Sequence, residues 1–156
     1  MSNQLSTAER IESLKAGIAG AFATVSCFLL IVLSDRLMEA IFSAPALSAS
    51  ALSAPTVFVL NGTVLIRGAI ALFSGFLFGV TYRYIIRQDA NPHLRGGAVM
   101  AFGLVRGLAQ VEAELMPSVA VWKAGILVVE SILMFAIASV LLDWSMQQGW
   151  LKRFNA

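Results

Sequence analysis

The chain alternates long apolar runs with short polar punctuation. Residues 1–15 are polar, and an apolar run then extends from Ala16 to Leu33 before ending at Ser34-Asp35-Arg36. At about 1.5 Å per residue this run covers about 27 Å, enough for the hydrocarbon core of a bilayer. Three further spans are expected over about 67–86, 96–111 and 118–142. Between them lie an outer loop, 34–66, an inner loop, 87–95, and a tight turn at Pro117. The pattern predicts an all-α, polytopic membrane protein with four transmembrane helices in a single domain, 1–156. The first run is long for the apolar part of a signal peptide, and Glu9 and Glu12 precede it, so it is expected to be retained as a helix.

The finer punctuation leaves choices open. Ser6-Thr7-Ala8-Glu9 resembles a helix-start capping box. Leu37 to Phe42 can continue the first helix along the membrane surface, and the Ala/Ser/Pro stretch 43–55 reads as a loop. Asn61-Gly62 between Thr56–Leu60 and Thr63–Ile66 reads either as a β-hairpin turn or as a break before the second helix.

Composition strengthens the membrane reading. Of 156 residues, 58% are hydrophobic and 13% charged, where soluble domains carry about a quarter charged residues. A globule this small could not bury so much apolar surface. Cys27, the single cysteine, lies within the first apolar run and has no partner for a disulfide. No Cys/His cluster suggests a metal, and no cofactor or nucleic-acid module is expected. His93, the one histidine, falls in the inner loop beside Pro92.

Charge sets the expected orientation. Arg10, Lys15, Arg83, Arg87, Arg95, Lys152 and Arg153 all fall on one side of four spans, with Arg36 opposite and Arg67 and Lys123 at helix entrances on that far side. Basic flanks stay in the cytoplasm, which places both termini there. Tyr82 and Tyr84 read as an interfacial aromatic belt, and Trp144 and Trp150 as anchors of the tail.

The two halves resemble each other. Leu14-Lys15-Ala16-Gly17 lies over Leu94-Arg95-Gly96-Gly97, and Arg67-Gly68-Ala69-Ile70 over Lys123-Ala124-Gly125-Ile126. Each half would be a two-helix hairpin inserted in the same orientation, a parallel repeat.

Charges inside a span cost about 2.5–3.5 kcal/mol each on insertion scales. Arg106 and Glu130 fall near the middle of the third and fourth spans, at similar depth and of opposite sign, and are expected to face one another. Gly103, Arg106, Gly107, Gln110 and Glu114 recur at three- and four-residue spacing, so Gln110 and Glu114 extend a polar stripe on that face. Gly103-x-x-x-Gly107 and Gly75-x-x-x-Gly79 offer close helix packing. Ser26 and Ser74 occupy the repeat positions of Arg106 and Glu130.

Two segments, Tyr82-Arg83-Tyr84 through Gln88-Asp89-Ala90-Asn91-Pro92-His93-Leu94-Arg95-Gly96-Gly97 and Ala101-Phe102-Gly103-Leu104-Val105-Arg106-Gly107-Leu108, resemble a group of uncharacterised small four-helix membrane proteins of cyanobacteria and plastids. The resemblance implies a photosynthetic membrane, thylakoid or plasma membrane, and carries no activity.

With no hydrolase, nucleotide or metal motif, a non-enzymatic accessory, assembly or scaffold role within a larger membrane complex is the leading expectation. Its partners would be the bilayer, other membrane subunits or a second copy of the chain. The alternative is a small dimeric transporter or channel with an Arg106/Glu130 site. Lipid chemistry at Glu112 and Glu114 comes third, since no nucleophile accompanies them.

Overall fold

A computed structural model describes residues 7–42, 62–86, 92–114 and 121–151. Among them are four helices: α1 Thr7–Phe42, α2 Gly62–Ile85, α3 Pro92–Glu114 and α4 Val121–Gln147. The helix bounds reach past the expected spans in several places. α1 is continuous over 36 residues, about 54 Å, so residues 16–33 and the Leu37–Phe42 extension form one rod. Its last turns, and the first turn of α2, take up both ends of the stretch expected to be the outer loop 34–66. Gly62 opens α2, and Thr63–Ile66 are helical rather than the second strand of a hairpin; residues 56–61 lie outside the described residues. Pro92, His93, Leu94 and Arg95, expected in the inner loop, form the first turn of α3. Proline suits that position because the N–H it lacks would have no intrahelical acceptor. The Ser6 end of the capping box, residues 43–55 and the Pro117 turn also lie outside the described residues.

α4 ends in a recognisable stop. Gly149 has φ 77°, and the amides of Gly149 and Trp150 bond back to the Met146 and Ser145 carbonyls at 3.3 and 3.1 Å. This is a Schellman cap, and the left-handed residue in it is a glycine because no Cβ opposes that backbone.

The helices pack as two antiparallel pairs. On α1 and α2, Gly17 meets Phe76 and Val80, Gly20 meets Gly75 and Gly79, and Gly68 meets Phe28, so each step up one helix is matched by a step down the other. On α3 and α4, Gly103 sits against Ile132 and Gly107 against Val128. The expected close packing is therefore found, and its partner is in each case the chain's own neighbouring helix. α1 also packs along α4, whereas α2 and α3 touch over a short length. The glycines of the two seams do not occupy repeat-equivalent positions: Ser131 and Phe135 stand where the alignment puts Gly75 and Gly79.

We call the end where α1 meets α2 and α3 meets α4 the hairpin end, and the opposite one, with Thr7 and Leu151, the terminal end. The terminal half is filled by aromatic rings. Phe78 lies 5.2 Å from Tyr82, 5.4 Å from Phe102 and 5.0 Å from Phe135, centroid to centroid. Tyr82 is thus a core residue at 1% exposure, which corrects its expected place in an interfacial belt.

Apolar side chains also cover the outside. Phe22 on α1, Phe73 on α2, Val105 on α3 and Val140 on α4 are 75, 67, 72 and 66% exposed. Such a surface on every helix suits lipid, not water. α1, α2 and α4 are each long and apolar enough to cross a membrane.

Candidate functional site

The bundle is closed at one end by a buried cation. Arg83, 2% exposed, donates from Nη1 to Ser13 Oγ at 2.6 Å and to the Glu9 carbonyl at 3.1 Å. Ser13 Oγ lies 3.1 Å from Tyr84 Oη. The sequence reading treated Arg83 as a flanking charge of the inner loop; it is instead a clamp from α2 onto the start of α1. The signal was present. Gly75, Gly79 and Arg83 are spaced four apart, so Arg83 continues the close-packed glycine face, and Ser13, Gly17, Gly20 and Thr24 form its complement on α1. Thr24 Oγ1 lies 3.0 Å from the Ala71 carbonyl, tying the same seam at mid-length.

Beside this clamp, Arg95 Nη1 pairs with Asp143 Oδ2 at 2.9 Å, joining the start of α3 to the end of α4. The Tyr82 hydroxyl lies near Asp143 and Ser139 without reaching hydrogen-bonding geometry with either.

The hairpin half lacks the ring cluster of the terminal half, with Phe28 its buried ring, and contains a cavity of about 230 Å³. Exposed Asp35, Arg36 and Arg67 form its rim, and Glu130, Arg106, Ser131 and Met134 line its deeper wall. All four helices contribute. Arg106 is 7% exposed, which makes it the innermost charge of this wall. The structure therefore brings Arg106 and Glu130, expected at similar depth, to one crevice. Arg106 Nη1 donates to Ser74 Oγ at 3.4 Å. Gln110, half-buried on the same face, accepts a hydrogen bond from Ser131 Oγ at 2.9 Å. Glu114 is the last residue of α3, and Glu112 is exposed two residues before it.

A second cavity, an apolar groove of about 540 Å³, follows the thin seam between α2 and α3. It runs past Ile70, Ser74 and Leu77 on one side and Ala101, Val105, Ala109 and Ala113 on the other. Arg67, Arg106 and Gln110 line both cavities. The groove exists because α3 presents small side chains there, every fourth residue from Ala101 to Ala113 apart from Val105.

His93 is exposed on the first turn of α3, and among the described residues no group of three or more His, Cys, Asp or Glu could hold a metal ion. Cys27 is a free thiol buried on α1 as part of the apolar core.

No family model, curated protein or solved structure matches the chain.

Proposed function

We propose that this chain is a four-span membrane protein, with both termini cytoplasmic, that binds a small anionic solute in the hairpin-end crevice and carries it as a small transporter. The observation behind this reading is the crevice itself, a polar opening from the exposed Asp35–Arg36–Arg67 rim to buried Arg106. Charged residues with a purely structural role are expected to be sealed by apolar side chains; here Arg106 and Glu130 both line an open cavity. Three guanidinium groups against two carboxylates favour a negative guest. Beneath the crevice lies the cluster of Phe78, Phe102 and Phe135, so passage through the protein requires those rings to part.

Four spans are supported by the way α3 accompanies α4. Their contacts run from Arg95–Asp143 through Gly103–Ile132 to Gly107–Val128, and α3 shows lipid-type side chains at Val105 and Leu108. Its polar residues, which lower its apolar content, turn toward the crevice.

The accessory-subunit reading drew on Gly-x-x-x-Gly faces open to partners, and those faces close on the chain's own helices. It keeps one support, the shortness of the chain outside its helices, and affinity purification in mild detergent tests it.

The crevice is tested by cysteine accessibility. In a Cys27→Ser background, Leu127→Cys or Val64→Cys should react with a membrane-impermeant, negatively charged thiol reagent. Arg106→Gln should slow that reagent at least fivefold and spare a neutral one. Absence of reaction at both positions would remove the reading.

A further inference from the structure

We infer that the guest is a single-chain anionic amphiphile, a long-chain carboxylate, with its head in the crevice and its chain in the α2–α3 groove. This inference rests on the crevice reading and adds the chemical class.

The two cavities adjoin. Arg67, Arg106 and Gln110 stand on the wall of each, so a molecule bridging them passes directly by the two guanidinium groups. The crevice side carries Asp35, Arg36 and Glu130 among apolar residues such as Ile31 and Leu127, whereas the groove side beyond the shared residues is Ile70, Leu77, Ala101, Val105 and Ala109 with Ser74. A ligand that satisfies both must be anionic at one end and hydrocarbon at the other.

Direction agrees with this. Arg67 lies near the start of α2 at the hairpin end, and the groove extends from it to Leu77, ten residues along the helix, about 15 Å. A head held between Arg67 and Arg106 therefore sends its chain toward the bilayer interior, the orientation of an amphiphile in that leaflet. A fixed arginine beside the groove distinguishes this guest from neutral lipid, which fills any open groove but gains nothing from the charge. The side chains of Ala101, Ala109 and Ala113 leave space for one extended chain, and their enlargement would close it.

The test uses the full chain in phosphatidylcholine nanodiscs, with stearate carrying a nitroxide near its chain end. The spectrum should show an immobilised, saturable component that unlabelled palmitate displaces and octanoate displaces at least tenfold less well. Phosphatidylcholine carrying the same label should show no such component. Ala109→Phe, at an exposed position outside the crevice lining, should abolish the stearate component while leaving the thiol reactivity of Leu127→Cys unchanged. Arg106→Gln should weaken stearate at least fivefold. If Leu127→Cys reacts but stearate is not immobilised, or Ala109→Phe leaves it immobilised, the amphiphile assignment is wrong and the crevice reading stands. If Leu127→Cys and Val64→Cys are both unreactive, the crevice reading falls and the assignment with it.

Discussion

Arg106 on α3 reaches Ser74 on α2, Nη1 to Oγ at 3.4 Å, across a thinly packed seam between the two hairpins. Ser74 spends its own proton on the Ala71 carbonyl, at 3.1 Å, and so meets the guanidinium as an acceptor. A serine where the repeat alignment matches Glu130 thus contacts the arginine that the sequence pairs with Glu130.

This contact is long and its acceptor is neutral. Ser74→Ala should therefore cost about 0.5 kcal/mol, the typical worth of a polar contact between membrane helices. Reversible unfolding in mixed micelles measures it. Anionic thiol labelling at Leu127→Cys should not change, because the charge that attracts the reagent belongs to Arg106. A loss above 2 kcal/mol would mean that Ser74 organises the crevice.

The glycine seams give a sharper contrast. A methyl group at Gly79 would collide with the Ala16 carbonyl of α1, and one at Gly103 would lie 2.7 Å from Ile132 Cα. Backbone cannot step aside as a side chain end can, so Gly79→Ala and Gly103→Ala should each cost about 1–3 kcal/mol. Gly97 has open space around its Cβ position, and Gly97→Ala should be neutral or stabilise by up to about 1 kcal/mol through helix propensity. Equal effects at all three positions would contradict the seams.

Arg83 makes a different prediction, a local one. Ser13→Ala removes an acceptor from a guanidinium that has little access to water, at a cost of about 1–3 kcal/mol. Arg83→Met removes the charge along with its bonds and should release the first turns of α1 from α2. Hydrogen exchange should then rise from Thr7 to about Gly17 and stay low at Thr24, where the Ala71 bond remains. Uniform exchange along α1 would show that Arg83 is not a clamp.

Tyr82 carries a buried hydroxyl that makes no hydrogen bond within the described residues. Tyr82→Phe keeps the ring against Phe78 and deletes the unpaired group, so it should be neutral or stabilise by about 1 kcal/mol. Destabilisation beyond that would place a polar partner on Oη.

The apolar runs made the helices legible, because a span must satisfy its backbone internally and shows as an uninterrupted stretch. The same logic found Arg106 and Glu130, since charge is conspicuous in such a stretch. Arg83 was missed for the opposite reason. It stands at the edge of a run, where basic residues usually contact headgroups, and only its place on the glycine face of α2 marks it as buried. Tyr82 was hidden likewise by the belt that aromatic residues form at interfaces. The boundaries at Gly62 and Pro92 depended on helices continuing beyond the lipid core, which hydropathy does not register. The α2–α3 groove could not be read at all. It arises from which pairs of helices pack most closely, and small residues such as Ala101 and Ala109 fit a tight seam as readily as an open one.

Topology separates four spans from three. α3 is less apolar than its neighbours, and a surface position would avoid inserting Arg106. That position would also break Arg95–Asp143 and withdraw Gly103 and Gly107 from Ile132 and Val128, contacts distributed along α3 over twelve residues, about 18 Å. It would leave α4 with an uncovered polar wall at Glu130 and Ser131. In the proposed four-span topology, insertion beside α4 would satisfy both helices together, and an even number of crossings would put both ends on one side. Basic residues favour the cytoplasm for that side even when Arg83, consumed by Ser13 and Glu9, is left out: Arg10, Lys15, Arg87, Arg95, Lys152 and Arg153 remain. Tags on the two termini should both resist protease added outside intact cells and both be lost once the membrane is opened. A C-terminal tag cleaved from outside, with the N-terminal tag protected, would mean that α3 does not cross.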